Sequence, residues 1–324
     1  MNPNPLSKTD AKLLYLLDLD ARIPLTKLAK QLHTSKQVVK YHIETLQKQQ
    51  IIQGFYTDIN PSKLGLTIYL VYLNFQNLSP NKEKQFISHL AAQKHVGVNV
   101  SINGKWDFCL GLWAHNIFQF QTRLTQILQD YEQYIKQKTI MIETNFHYFK
   151  PKFLTNQTHT SHVTMHSSDH PIEIDHTDQT ILQLLSQNSR ASLVEIGQQV
   201  NLTPNAVKSR IKQLEKDHII LSYRVMINYQ KLNLLHYRIF LHTQNLTQDK
   251  EKSIIQFLKQ HPSVISVTKT IGYCDIECRA IVQTIHDYYQ LIEELKNQFP
   301  SIIKEHESIL YYKFHQVLNY FPQE

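Results

Sequence analysis

Glycine is scarce in this sequence, with 7 residues in 324. Enzymes that bind nucleotide phosphates commonly use glycine-rich loops, and no Walker or dinucleotide-binding motif is present. A Ser-His-Asp arrangement is absent as well. The sequence therefore predicts that the chain is not an enzyme and requires no cofactor.

Cysteine and long apolar runs are also sparse. Cys109, Cys274 and Cys278 form an odd count without zinc-site spacing, so we expect buried thiols, no metal site and a reducing compartment. Cys274 and Cys278 are expected on one face of a strand, roughly 13 Å apart. No apolar run approaches the length of about 18 residues that a membrane-spanning helix needs, and the N-terminus lacks a signal-peptide core. These features predict a cytoplasmic protein with no membrane partner.

Charge is unevenly distributed. The chain has a net charge of +7 and a pI near 9.0, which is compatible with a polyanionic partner. Residues 1–150 hold 17 Lys and Arg against 10 Asp and Glu, whereas residues 172–324 hold 16 against 16. The basic excess therefore lies in the first half.

An internal repeat determines the architecture. Shifting the sequence by 168 residues aligns its halves without a gap. Matched pairs include Asp10 and Asp178, Lys40 and Lys208, Asn60 and Asn228, Gly104 and Gly272, and His147 and His315. The register predicts a duplication with two helix-turn-helix domains (1–60 and 172–228) and two α+β domains (61–154 and 229–324). Residues 155–171 are polar and predict a flexible linker, whose histidines we interpret as solvated rather than metal-binding.

The first part of each copy predicts three short helices. Leucines at helical spacing follow Asp10, and Pro24 suits the first position of a second helix. Ser35 suits the N-cap of a third helix, and Thr203 followed by Pro204 suits the same place in copy two. Three short helices with a tight turn before the last are typical of a helix-turn-helix.

The outer face of each third helix carries side chains that can read or hold DNA. Gln and Asn can pair with adenine, Lys with guanine or phosphate, and Ser or Tyr with phosphate. A solvated helix face is the alternative, but two matched occurrences favour double-stranded DNA. The predicted DNA-binding residues are Ser35, Lys36, Gln37, Lys40, Tyr41 and His42, and Thr203, Asn205, Lys208, Ser209, Arg210 and Lys212.

Residues 32–55 and 200–223 resemble the helix-turn-helix of the Lrp/AsnC (leucine-responsive/asparagine-regulator) family. Copy two carries the family pattern through Thr203, Val207, Arg210, Leu214-Glu215, Ile219-Ile220 and Tyr223. Copy one departs from it, because His42 stands where arginine is usual and Gln47 replaces glutamate. The resemblance extends over nearly the whole chain, twice, and implies a transcription regulator.

The second part of each copy predicts the order β-α-β-β-α-β. This order is typical of a ferredoxin-like sandwich, so the predicted fold class is α+β with each unit present twice. In the Lrp/AsnC family, this domain pairs sheet to sheet and can bind an amino acid near subunit interfaces. The resemblance thus implies a homo-oligomer or a pseudo-dimer within one chain.

Two short loops resemble the family's Gly-x-x-Asp turn. Gly104 and Asp107 mark it in copy one, and Gly272 and Asp275 mark it in copy two. We predict an effector or interface loop, with an amino acid as the candidate effector. The alternative is an ordinary hairpin, in which glycine supplies a positive φ and aspartate satisfies turn amides. We favour this alternative over direct contact of the loop with a ligand.

Two other functions compete with a regulator that reads DNA with both modules. Siroheme decarboxylases share the layout, but the regions around Gly104 and Gly272 lack a His/Arg/Tyr cluster for porphyrin carboxylates. A metabolite sensor whose second module no longer binds DNA is the other alternative. Because the outer faces of the two third helices differ, the preferred hypothesis predicts an asymmetric two-part DNA site.

Overall fold

The computed structural model describes residues 6–155, 162–166 and 170–317. Within this range the secondary-structure order of the first half recurs in the second, as the repeat predicts. The polar segments 156–161 and 167–169 of the expected linker lie outside the described residues.

Each copy begins with a three-helix module and one strand. Ser7 caps the first helix, and the Ser35 hydroxyl accepts a hydrogen bond from the backbone amide of Val38 at the start of the third. The sequence predicts that Pro24 is the first residue of the second helix. Its ψ of 139° is extended, so it is the N-cap instead and the helix begins at Leu25. The first module consists of α1 (Lys8–Leu19), α2 (Leu25–Gln31), α3 (Lys36–Lys48) and β1 (Ile52–Ile59).

The α+β domain of copy one follows with the predicted element order. Alternate residues of its strands are apolar and pack beneath the helices around Phe86, Phe108 and Phe120. The elements are β2 (Thr67–Phe75), α4 (Pro80–Ala91), β3 (Val96–Asn103), β4 (Phe108–Ala114), α5 (Ile117–Leu128) and β5 (Ile135–Phe149). A short strand, β6 (His162–His166), pairs with the end of β5, which corrects the expectation of a coil throughout the linker.

Copy two repeats the scheme. Its second module consists of α6 (His176–Gln187), α7 (Leu193–Val200), α8 (Pro204–Lys216) and β7 (Ile220–Ile227). Its α+β domain consists of β8 (Leu235–Thr243), α9 (Gln248–Gln260), β9 (Val264–Gly272), β10 (Ile276–Val282), α10 (Ile285–Gln298) and β11 (Ile303–Val317).

The strands of the two α+β domains form one closed sheet. Around the ring the order is β2-β4-β3-β11-β8-β10-β9-β5, and β5 pairs again with β2. The first half of β11 pairs with β8 of its own copy, whereas its second half pairs with β3 of the other. β5 does the same with β2 and β9. The two sheets therefore pair within one chain, which decides between the two arrangements left open by the sequence.

A second connection joins the copies near the modules. β1 and β7 form an antiparallel ribbon in which Phe55 lies opposite Val225. The core of the first module includes Val225 and Ile227 from β7, and the core of the second includes Ile59 from β1. Each module therefore packs against a strand of the other copy.

The cysteines of copy two differ from the expected arrangement. All three cysteines of the chain are free and buried, as expected. Cys274, however, lies in the core enclosed by the closed sheet, 3.6 Å from the sulfur of Met141, while Cys278 lies in the core beneath the helices. The two thiols do not share a face because Cys274 precedes β10 and belongs to the turn.

Candidate nucleic-acid interface

The third helix of the first module separates an apolar inner face from a polar outer face. Val39, Ile43 and Leu46 are buried in the module core. On the outer face, Tyr41 is 66% exposed, and Lys36, Gln37 and Lys40 are exposed with it. The Nζ atom of Lys40 lies 3.6 Å from Glu44, a solvent-exposed pair that holds the lysine weakly. Four of the predicted contact residues thus share one accessible surface.

Helix α8 presents the equivalent surface in the second module. Val207, Ile211 and Leu214 are buried, and Pro204 occupies the first turn after the cap residue Thr203. The predicted contact residues Asn205, Lys208, Ser209 and Lys212 are exposed, as is Thr203 itself.

The basic charge of the second module is concentrated on this helix. The module as a whole, residues 172–228, balances 6 Lys and Arg against 6 Asp and Glu. Helix α8 alone has 4 basic residues against 1 acidic residue, compared with 3 against 1 on α3. The zero net charge of the second half therefore does not describe its candidate DNA-contacting face.

Two arginines at equivalent positions connect the modules. Arg22 Nη1 donates to the backbone oxygens of Ser189 at 2.5 Å and Ala191 at 3.1 Å, and Arg190 donates to the oxygen of Ala21. The guanidinium of Arg22 lies over the ring of Tyr223, and that of Arg190 lies over Phe55. Burial lowers the pKa of Arg190. These reciprocal contacts constrain the orientation of one module relative to the other.

A buried ion pair fixes the ribbon to the first module. Arg224 of β7 and Asp18 of α1 have side chains only 3% and 4% exposed. Arg224 Nη2 lies 2.6 Å from both carboxylate oxygens of Asp18, and its guanidinium carbon lies 3.2 Å from the ring centroid of Tyr148. Burial alone would lower the pKa of Arg224, but Asp18 and the neighbouring tyrosines raise it well above its usual value. Sequence reasoning missed this pair because its partners are 206 residues apart.

Comparisons with known proteins agree with these modules. Residues 174–215 match the AsnC-type helix-turn-helix domain, and residues 6–53 match a winged helix-turn-helix DNA-binding domain. An uncharacterised HTH-type transcriptional regulator of Pyrococcus furiosus is 28% identical over 127 residues, covering 39% of this chain and 82% of the relative. The regulator AldR of Mycolicibacterium smegmatis is 30% identical over 112 residues, covering 34% of this chain and 66% of the relative.

The chain carries an AsnC-type helix-turn-helix domain and has homologues among the Lrp/AsnC-family regulators. Its duplicated architecture also has a solved counterpart. The siroheme decarboxylase NirDL aligns with a TM-score of 0.64 over 98% of this chain and 95% of that one, with 8% sequence identity. At this identity the likeness concerns the fold, and it confirms the α+β class with each unit present twice. Within the described residues, no helix is both long and apolar enough to cross a membrane.

At the position where Lrp/AsnC proteins usually have arginine, both copies direct a side chain toward the first helix. In copy two, Arg210 Nη1 donates to Asp175 at 2.7 Å and to Asp178 at 3.0 Å. In copy one, His42 Nδ1 lies 2.7 Å from Asp10. A backbone hydrogen bond and Arg210 lower the pKa of Asp175. These contacts give both side chains a bracing role, and their contact with DNA stays a prediction.

The Lrp/AsnC-like loops are hairpins whose aspartates are already satisfied. Gly104 and Gly272 have φ values of +144° and +112°, which favour glycine. Asp107 accepts a hydrogen bond from the backbone amide of Phe75 at 2.8 Å, and Asp275 accepts one from the amide of Thr243 at 2.7 Å. The positive φ of each glycine agrees with the hairpin alternative, whereas each aspartate binds the amide at the end of the neighbouring strand, β2 or β8, and not an amide of the turn.

The two loops also contact each other. Lys105 Nζ donates to the hydroxyl of Tyr273 at 2.6 Å and pairs with Glu307 at 3.0 Å. Trp106 is 1% exposed and packs edge-on against Tyr273. Trp106 fills space that the smaller Cys274 cannot fill at the equivalent position, so the surroundings of the two loops differ.

Proposed function

We propose that this chain is a sequence-specific, DNA-binding transcription regulator in which both modules read one DNA site. The observation that carries this proposal is the pair of exposed, basic outer faces on α3 and α8, held by a common brace through Arg22 and Arg190. Phosphate contacts from lysines supply affinity, and the amides of Gln37 and Asn205 can recognise adenine edges.

The proposed DNA site is asymmetric. Under the repeat, Lys36 corresponds to Pro204, Gln37 to Asn205, and Tyr41 to Ser209. These replacements change the length, charge and aromatic character of the candidate contacts. Because base recognition depends on the side chains at such positions, the modules should prefer different half-sites.

The partner and compartment follow from the DNA proposal. Double-stranded DNA is the principal partner, and we place the protein in the cytoplasm, where bacterial or archaeal DNA and reduced thiols coexist. The closed ring of strands already supplies a pseudo-dimer within one chain, and further association into a homo-oligomer is part of the proposal. An amino-acid effector, suggested by the family resemblance, is retained as the small-molecule partner of the domains that contain Gly104 and Gly272.

Selection of genomic DNA fragments by the purified protein at two salt concentrations tests the proposal. We expect enrichment of discrete fragments, with affinity falling steeply as salt rises, because lysine–phosphate contacts release counterions. A protein of similar charge without a helix-turn-helix is the control for non-specific retention. Absence of enrichment at both salt concentrations, with and without added amino acids, would contradict DNA recognition by this chain.

The full-length likeness to NirDL favours one enzymatic alternative, a siroheme-decarboxylase-like activity. A porphyrin with several carboxylates requires several cationic partners. A cavity of about 400 Å³ lies beneath the β1–β7 ribbon, and Lys313 is the only Lys or Arg among its described lining residues. We therefore expect iron-uroporphyrin to show no protein-induced change in its Soret absorbance. A saturable spectral change with release of carbon dioxide would support the enzyme instead.

A further inference from the structure

A cavity of about 400 Å³ lies between the β1–β7 ribbon and one mouth of the closed sheet. Its volume is in the range of small-molecule sites. Residues from both copies enclose it. Among them are Tyr56 and Tyr148 from copy one and Tyr229, His236, Tyr311 and Phe314 from copy two.

Aromatic rings dominate the wall of this cavity around one histidine. The ring centroid of His236 lies 4.5 Å from that of Tyr311, 5.4 Å from that of Tyr229 and 5.7 Å from that of Phe314. Phe314 is 42% exposed and Tyr312 is 64% exposed, so apolar ring surface reaches the solvent here. Burial raises the pKa of Tyr311 to about 12, which keeps its hydroxyl neutral. Such walls suit a flat, apolar face of a ligand.

His236 supplies a polar edge at the same place. His236 is 9% exposed, and neither of its ring nitrogens has a hydrogen-bond partner among the described residues. Burial, together with the charges of Arg279 and Arg238, lowers the pKa of His236 well below its usual value. A neutral imidazole offers one donor and one acceptor. Buried polar atoms normally find partners, so the two free nitrogens point to a ligand with a complementary edge.

The buried charges around the cavity are already paired within the protein, whereas Lys313 in its lining is exposed. Asp18 is neutralised by Arg224, and Arg238 is paired with Glu143 and Glu277. Arg279, which also lies near His236, contacts the same two glutamates. A charged ligand would thus find no buried counter-charge free to receive it, whereas an uncharged one requires none.

We propose that this cavity binds one planar, uncharged heteroaromatic molecule, whose hydrogen-bonding edge pairs with His236 and whose faces pack against the surrounding tyrosines. The volume suits a compound of one or two fused rings. The site is distinct from the Gly104 and Gly272 loops, and it stands whether or not the chain binds DNA.

The repeat predicts one such site per chain. The 168-residue shift assigns each cavity-lining residue a counterpart in the other copy, and most of these counterparts differ in chemistry. Tyr56 is replaced by Arg224, Tyr148 by Gln316, Tyr229 by Pro61, Tyr311 by Glu143, and His236 by Ile68. The equivalent location lacks the imidazole and keeps only Phe146, the counterpart of Phe314, of the aromatic walls, so binding should saturate at one molecule per chain.

A titration with 7-azaindole tests the proposal without DNA. This fluorescent compound is flat and neutral, and it carries a donor and an acceptor on one edge. We expect saturable binding at one site with a Kd of about 0.1 to 1 mM, typical of so small a molecule. His236→Leu should weaken binding by about tenfold or more, and Phe314→Ala, at a half-exposed wall position, should weaken it severalfold.

His242→Leu is the matched control. His242 lies on the same strand and face as His236, six positions along β8 and roughly 20 Å away, outside the cavity. This variant should bind 7-azaindole as the wild type does. The proposal would be overturned by absence of saturable wild-type binding at about 5 mM, several times the expected Kd. Equal affinity in the wild type, His236→Leu and Phe314→Ala, or equal weakening by His242→Leu, would overturn it too.

Discussion

Replacing Lys36 and Lys40 together by glutamine should weaken binding to a selected DNA site by about 30-fold near 0.15 M salt. Both side chains are exposed on the outer face of α3. Each lost phosphate contact removes about 0.9 from the slope of log affinity against log salt, so the double variant should lose about 1.8. The weak pairing of Lys40 with Glu44 leaves its charge available to DNA.

Fluorescence anisotropy across a series of salt concentrations measures both quantities. Lys82 and Lys84 provide the matched control, because they are exposed lysines on α4 in the α+β domain, away from the recognition helices. Their double glutamine variant removes the same charge and should leave the slope unchanged. If both double variants reduced affinity and slope equally, long-range charge rather than contact by α3 would explain binding.

Replacing Arg224 by methionine should lower the free energy of unfolding by about 3–5 kcal/mol. The substitution leaves the Asp18 carboxylate buried without its bidentate partner and removes the guanidinium from the ring of Tyr148. Because Arg224 belongs to β7 and Asp18 to α1, the loss should also loosen the first module on the ribbon. Chemical denaturation followed by circular dichroism measures the change.

A second variant separates the lost ion pair from lost packing. Asp18→Leu combined with Arg224→Met removes both charges and should recover at least half of the lost stability, since apolar replacements of a buried pair are often well tolerated. Lys231→Met, a single charge loss at an exposed position near β7, should change stability by less than about 0.5 kcal/mol. A wild-type stability for Arg224→Met would contradict the structural role of the pair.

The sequence predicts most of the local structure because local signals are strong. Ser35 and Thr203 cap the third helices as expected, and the buried positions of those helices are all apolar. The predicted order β-α-β-β-α-β is the one that both α+β domains adopt. The duplication makes such predictions more secure, since each pattern is observed twice in one chain.

Strands and contacts that depend on residues far away in the sequence cannot be predicted from local patterns. β1 contains Gly54 and Asp58, residues with low strand propensity, and it forms because β7 pairs with it from the other copy. β6 lies within the segment expected to be a flexible linker, and it forms because β5 offers an open edge. In the candidate interface, no spacing rule links Arg210 to Asp178 or Arg22 to Ser189, since each contact depends on how helices pack in space.

Footprinting on DNA sites selected from a random duplex library tests whether both modules read one asymmetric site. We expect a motif with two dissimilar halves, both protected by the wild type. Replacing Asn205 and Lys208 by alanine should remove protection from one half and leave the other. A palindromic motif, or a footprint unchanged by these two substitutions on α8, would show that the two modules do not read dissimilar half-sites.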